Sequence, residues 1–141
     1  MIIDKALQIS DKQAVTSSAP SSDVIDFGQA TPNTGLLSNQ LYLQIGVAQT
    51  ATAAGAATVQ FVLQDSADGG SFADVVSTQA VALAGLKAGK QFVLPMPVEH
   101  RRYVRVNYVV GTGPLTAGKF SAQVVAGLQA NTHMPDSPKI A

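Results

Sequence analysis

Residues 101–110, Arg-Arg-Tyr-Val-Arg-Val-Asn-Tyr-Val-Val, constrain the fold more than any other stretch of the chain. Val104, Val106, Tyr108 and Val110 recur at every second position, and Tyr103, Arg105 and Asn107 fall between them. Successive side chains of an extended chain point to opposite sides of a pleated sheet. This period of two therefore predicts a strand with one apolar and one polar face. Arg102 falls on the apolar side of the alternation, which puts it at the mouth of the strand. Such a strand needs partners, and the rest of the chain is patterned to supply them.

Residues 40–47 alternate in the same way, with Leu41, Leu43, Ile45 and Val47 on one face and Tyr42, Gln44 and Gly46 on the other. Residues 58–64 place Val59, Phe61 and Leu63 inward, with Gln60 and Gln64 outward. Residues 119–128 align Phe120, Ala122, Val124, Ala126 and Leu128. Shorter strands are expected at 24–27 (stopped by Gly28), 72–77, 79–84 and 91–94. The last is closed by Pro95 and Pro97, because proline cannot donate to a ladder. Residues 2–10 read as a strand or an extended arm. Polar turn formers make loops of 11–23, 65–71, 85–90 and 111–114. The Ala/Thr/Gly run at 48–57 carries no apolar stripe, so it reads as a loop or a strand extension.

About eight short strands, with turn signals about every ten residues and no amphipathic helix, predict an all-β, single-domain antiparallel β-sandwich. A jelly roll manages the edges of about this many strands and is the preferred topology, with an immunoglobulin-like sandwich as the alternative. The sandwich is expected over residues 1–130. Residues 131–141, with Pro135 and Pro138 and little periodicity, are expected to form an extended C-terminal arm.

The bulk properties narrow the class of function. A chain of 141 residues can bury roughly two thirds of its unfolded surface, and without cysteine it has neither disulfides nor a thiolate metal site. Charged residues make up 13% of the chain, against about 25% in an ordinary soluble domain. Nine basic and nine acidic residues cancel. A neutral chain lacks the basic excess that displaces counterions from phosphates, so no nucleic acid is expected as a partner. Weak surface charge instead favours association. The N-terminus lacks a basic-then-apolar leader pattern, and no run approaches the roughly eighteen apolar residues of a membrane helix. Neither export nor a membrane partner is expected.

Candidate chemistry is sparse. His100 and His133 lie far apart, and neither has a ligand-spaced neighbour, so no metal is expected there. Asp65, Asp68 and Asp74 surround a Gly-rich turn and could offer oxygens to calcium. Their spacing is not that of an EF-hand loop, and a hairpin turn accounts for all three. No G-x-S-x-G elbow, paired catalytic carboxylates or phosphate-cradling loop is present, so no enzyme and no cofactor are expected. Arg101, Arg102 and Arg105, with Tyr103 and Tyr108, could contact RNA or a glycan. Arginine and tyrosine are also the residues enriched where proteins meet.

The run from Arg102 to Ala122, RYVRVNYVVGTGPLTAGKFSA, resembles the C-terminal half of tailed-phage capsid decoration or cement proteins. There an R-Y-[VL]-R-[VL]-x-Y strand precedes a Gly/Thr turn and an A-G-x-[FVI]-[ST]-A strand. The opening MIIDKAL, VIDFG at 24–28 and VLQDSADGGSF at 62–72 also look like that family, so the resemblance covers nearly the whole chain in order. It implies a jelly-roll protein on the outside of a phage virion, made in the host cytoplasm. Such a protein binds the assembled shell and clamps neighbouring major capsid subunits, and a homodimer is the favoured homo-oligomer. The contact pieces it implies are the terminal arms, residues 1–5 with Met1, Ile2 and Ile3 and residues 131–141 with His133, Met134 and Pro135, and Arg101, Tyr103 and Arg105 join them as residue types enriched at protein interfaces. A carbohydrate-binding or receptor-binding module is the rival. The absence of Trp and the presence of only three Tyr count against the flat ring platforms that sugars require.

Overall fold

The computed structural model describes residues 3–32, 34 and 40–128. A 3-10 turn, Lys5–Leu7, leads into ten strands, with a second such turn, Leu83–Gly85, after the seventh: β1 Gln8–Ala14, β2 Ala19–Pro20, β3 Ile25–Asp26, β4 Tyr42–Thr52, β5 Thr58–Ser66, β6 Ala73–Ser77, β7 Val81–Ala82, β8 Gln91–Pro95, β9 Tyr103–Gly111 and β10 Ala117–Val125. All strand pairings are antiparallel. One sheet runs β1-β10-β4-β8. In the other, β9 and β5 form the centre, β2 and β3 share the far flank of β9, and β6 and β7 share the far flank of β5. The two sheets face each other as a sandwich. First and last strands are neighbours, and most connections cross between sheets, an order compatible with a jelly roll.

The ten strands occupy eight positions, because each flank of the second sheet is one strand broken in two, so that the strands expected at 72–77 and 79–84 share one position. Both breaks are mended in the same way. Between β2 and β3, Ser21 donates its N–H to the Val106 carbonyl (2.7 Å), and its hydroxyl accepts the Val106 N–H (3.2 Å). Between β6 and β7, Thr78 donates its N–H to the Phe61 carbonyl (3.0 Å), and its hydroxyl accepts the Phe61 N–H (3.1 Å). A hydroxyl residue thus occupies each gap and satisfies both backbone groups of a buried central residue, which would be costly to leave unpaired.

The alternation of β9 is realised as expected: Val104, Val106 and Tyr108 are buried. Tyr108 forms the middle of an aromatic core. Its ring lies 5.5 Å from that of Phe120 and 5.9 Å from that of Phe61, and Phe61 lies 5.0 Å from Phe92. The Tyr108 hydroxyl is 2.6 Å from that of Ser10 on β1. This bond between the sheets satisfies a polar tip that burial would otherwise penalise.

Two expectations are corrected. Residues 11–23 are not all loop: β1 continues to Ala14, and β2 lies within the same stretch. Asp11, Lys12 and Gln13 are polar because they ride on a bulged edge strand, where register shifts and a positive φ of 48° at Lys12 interrupt the alternation. β10 ends at Val125, opposite Tyr42 at the start of β4. Ala126 and Leu128 therefore have no strand beside them and are exposed rather than inward. Of the two readings of the Ala/Thr/Gly run, strand extension holds as far as Thr52, and the buried Ala51 fits against Gly118, where a Cβ would come within 3.3 Å. No helix among the described residues is long and apolar enough to cross a membrane.

Candidate functional site

Connectivity gathers several segments at one end of the sandwich. The chain enters β1 beside the end of β10, since Gln8 pairs with Gln123, and Val125 pairs with Tyr42, which pairs with Pro95. In the other sheet Ser66 pairs with Tyr103, which also pairs with Asp26. The links β3–β4, β5–β6 and β8–β9 therefore all turn at this end, where residue 3 enters the fold and residue 128 leaves it.

Two ion pairs anchor these loops. Arg101 holds Asp65 through Nε (2.8 Å) and Nη2 (2.6 Å) to Oδ1 and through its backbone N–H to Oδ2 (2.9 Å), with a further bond from Nη2 to the Asp65 carbonyl. Burial pushes the Asp65 carboxyl up, but the bonds from Arg101 outweigh it and hold the group below its ordinary value. Arg102 grips both carboxylate oxygens of Asp26 at 2.7 and 2.9 Å. Those bonds, with the Gly28 N–H, bring Asp26 down to about 2. The β5–β6 hairpin is tied by Asp68, whose Oδ1 accepts from the N–H groups of Ser71 and Gly70 and from the Ser66 hydroxyl, again lowering its carboxyl to about 2. Gly69, at φ +76°, lets the hairpin turn under the Tyr103 ring. His100 is buried, its ring bonded to the Arg101 carbonyl and the Thr34 hydroxyl (both 2.8 Å) and set against Phe27.

Ile3 is 45% exposed and lies over the outer face of the four-stranded sheet, beside Gln44, Gly46 and Gln91, whereas Arg101 and Tyr103 belong to the other sheet, against Asp65 and Gly69, so the structure does not bring these predicted residues together. Arg105 sits further along the outer face, its guanidinium 3.7 Å over the Phe72 ring and its Nε bonded to Gln64, which in turn donates to Asp74 (2.7 Å). Met1, Ile2, His133, Met134 and Pro135 lie outside the described residues, as does the 131–141 arm. Asp65, Asp68 and Asp74 are separated by their partners, an arginine, a hairpin and a glutamine. No cluster of three potential metal-ligating side chains occurs among the described residues. Asp26, Asp65, Phe72 and Thr34 were not singled out by sequence as parts of this end. Only the pairing register brings Asp26 and Asp65 to the arginines, and no spacing in the chain announces it.

The geometry fixes loops and presents side chains. The His100 ring meets the Thr34 hydroxyl on one nitrogen and the Arg101 carbonyl on the other, and no carboxylate among the described residues hydrogen-bonds to it. Among comparisons with known proteins, a family model described as Bbp16 matches residues 9–124, from the core isoleucine of β1 to the penultimate residue of β10. No curated protein matches the chain.

Proposed function

We propose a structural role for this chain, which belongs to the Bbp16 family: it binds the outer surface of an assembled phage capsid and clamps neighbouring major capsid subunits. The observation that carries this reading is the convergence at one end of the N-terminal entry, the C-terminal exit and three loops braced by Arg101–Asp65 and Arg102–Asp26. A rigid end flanked by two chain termini suits a clamp, since braced loops give shape and terminal segments can extend over adjacent subunits. The resemblance to capsid decoration proteins across Arg102–Ala122 supports the choice of partner. Stabilisation follows by mass action: a protein that binds the assembled shell and not free subunits shifts the equilibrium toward the shell, and many copies add their effects.

The test is co-sedimentation of the purified chain with shells that lack it, together with its copy number in complete particles by quantitative mass spectrometry. Saturable binding and a copy number comparable to that of the major capsid protein are expected. No co-sedimentation, or a handful of copies per particle, overturns the reading.

A further inference from the structure

Lysine and arginine are divided between the two sheets. All five lysines among the described residues lie on the four-stranded sheet or its rim: Lys5 in the turn before β1, Lys12 on β1, Lys119 on β10, and Lys87 and Lys90 in the turn that leads into β8. That turn continues the pairing with β4, since the Val47 N–H donates to the Lys90 carbonyl (2.8 Å) and the Ala51 N–H to the Leu86 carbonyl (3.0 Å). The three arginines belong to the other sheet and the link that enters it, and Asp65 and Asp26 neutralise two of them. No lysine makes an ion pair among the described residues, and Lys5 donates instead to the Gln8 side chain (2.9 Å). The acids are distributed the other way. Only Asp4 and Asp11 accompany the lysines, and the Asp4 side chain already accepts the Ala6 N–H. Asp23 and Asp26 are on the β2–β3 flank, Asp65, Asp68 and Asp74 on the β5–β6 hairpin, and Glu99 on the β8–β9 link. A chain without net charge is thus cationic on one sheet and anionic on the other.

The lysines surround an uncharged floor. Lys12 lines a depression of about 190 Å³ together with Asp11, and Lys90 lines a second of about 160 Å³. Both open over Gly46, Gln91 and Ser121, and Gly46 keeps the floor low, because a Cβ there would meet nothing within 4 Å. The Ser121 hydroxyl accepts the Lys12 N–H (2.9 Å) and remains able to donate. Lys119 lies two residues before Ser121 on an inner strand, paired with Ala14 on one side and Gln49 on the other. Strands about 4.8 Å apart set Lys12 and Lys90 within roughly 15 Å of each other, with Lys119 between them.

We propose that this lysine-rimmed face receives an acidic segment of a partner protein, whose aspartates and glutamates meet Lys12, Lys90 and Lys119. Like charges this close, within about two Debye lengths, add their potentials over the floor they share, and that field draws in the opposite sign. Lysine is a compact point charge that a single carboxylate satisfies, while the flat fork that grips phosphate in two places is arginine's, and the arginines are elsewhere. Single-stranded nucleic acid would also need rings on which to stack its bases. The ring on this face, Tyr42, sits at the opposite end of β4 from Gln49, the partner of Lys119. This face is separate from the braced loops, so its occupancy does not depend on what they bind.

Fluorescence anisotropy of a labelled deca-glutamate peptide, titrated with the purified chain and no shell present, tests it. Saturable binding at low salt is expected, weakening several-fold as salt rises to physiological strength. Lys119→Gln is expected to weaken it about three-fold, and Lys90→Gln combined with Lys119→Gln at least about ten-fold. Val75→Glu is the control. It lowers the net charge by one, as Lys119→Gln does, but at a 36% exposed position on the opposite sheet, and it should leave the affinity unchanged. An unaltered thermal midpoint shows that each variant folds. Absence of binding at low salt overturns the proposal. So does a loss with Val75→Glu equal to that with Lys119→Gln, which would make overall charge the cause. Tighter binding of a single-stranded oligonucleotide of equal charge would also overturn it and assign the face to nucleic acid.

Discussion

Tyr108 shows how one side chain couples the core to solution conditions. Burial pushes its hydroxyl from 10.0 up to about 12, against the opposing pull of the Ser10 bond. The raised value means that the folded state resists ionisation, so this contribution is complete below about pH 10 and is lost as pH rises from there toward 12. The loss is on the order of 2–3 kcal/mol at its limit. Denaturant unfolding at pH 8 and pH 11 is expected to show that decline in the wild type. Tyr108→Phe should lack this component while losing about 1–3 kcal/mol at neutral pH, because the Ser10 hydroxyl is left buried without its partner. Asp68 has the opposite sign. Its carboxyl is held at about 2 in the fold, so its stabilisation is present above about pH 4 and lost as pH falls toward 2. Asp68→Asn should lower the midpoint of thermal unfolding at pH 7 and flatten its decline between pH 4 and pH 2. At this scale the sequence was partly legible. Tyr108 declares its burial by alternation, and Asp68 declares its turn by the glycines after it. The Ser10 partner, ninety-eight residues away, has no local signature.

Among the elements, the long strands were legible because each buries one face and so alternates: β4, β5, β9 and β10 all carry the period of two. Edge pieces were harder to read. A two-residue strand such as β2 or β7 has no room for a pattern, and β1 hides within a polar stretch because its bulges break the alternation. The hydroxyl residues in the two gaps are equally silent, since serine and threonine are common in any loop. Their role is nonetheless specific. Ser21→Ala removes the acceptor for the Val106 N–H, and Thr78→Val does the same for Phe61. Each should cost about 1–3 kcal/mol, the penalty for leaving a buried donor unpaired. Amide hydrogen exchange should accelerate most at Val106 in the first variant and at Phe61 in the second. A loss of stability with uniform exchange across both sheets would argue against this division of labour.

At the scale of the whole molecule, composition carried more information than any motif. A chain that is 13% charged with no net charge carries little surface repulsion to hold other molecules apart. The loop end could not be foreseen in this form, because the meeting of Asp26 and Asp65 with the arginines depends on pairings made far along the chain. Under the proposed function, removal of residues 131–141 is expected to weaken co-sedimentation with shells while leaving the thermal midpoint unchanged, since the described core closes before that segment. Unaltered shell affinity would remove the arm from the mechanism. The broken flanks of the second sheet have a further consequence. A continuous exposed edge invites other chains to add strands without limit, as in amyloid growth. Here β2, β3 and β7 are two residues long, β1 is bulged, β6 spans five residues with a register shift against β5, and β8 spans five residues and ends in Pro95. None offers a long straight row of free backbone groups. Edges as short and broken as these, among the described residues, make strand addition at high local concentration unfavourable and leave faces and loops, where side chains choose the partner, as the better contact surfaces.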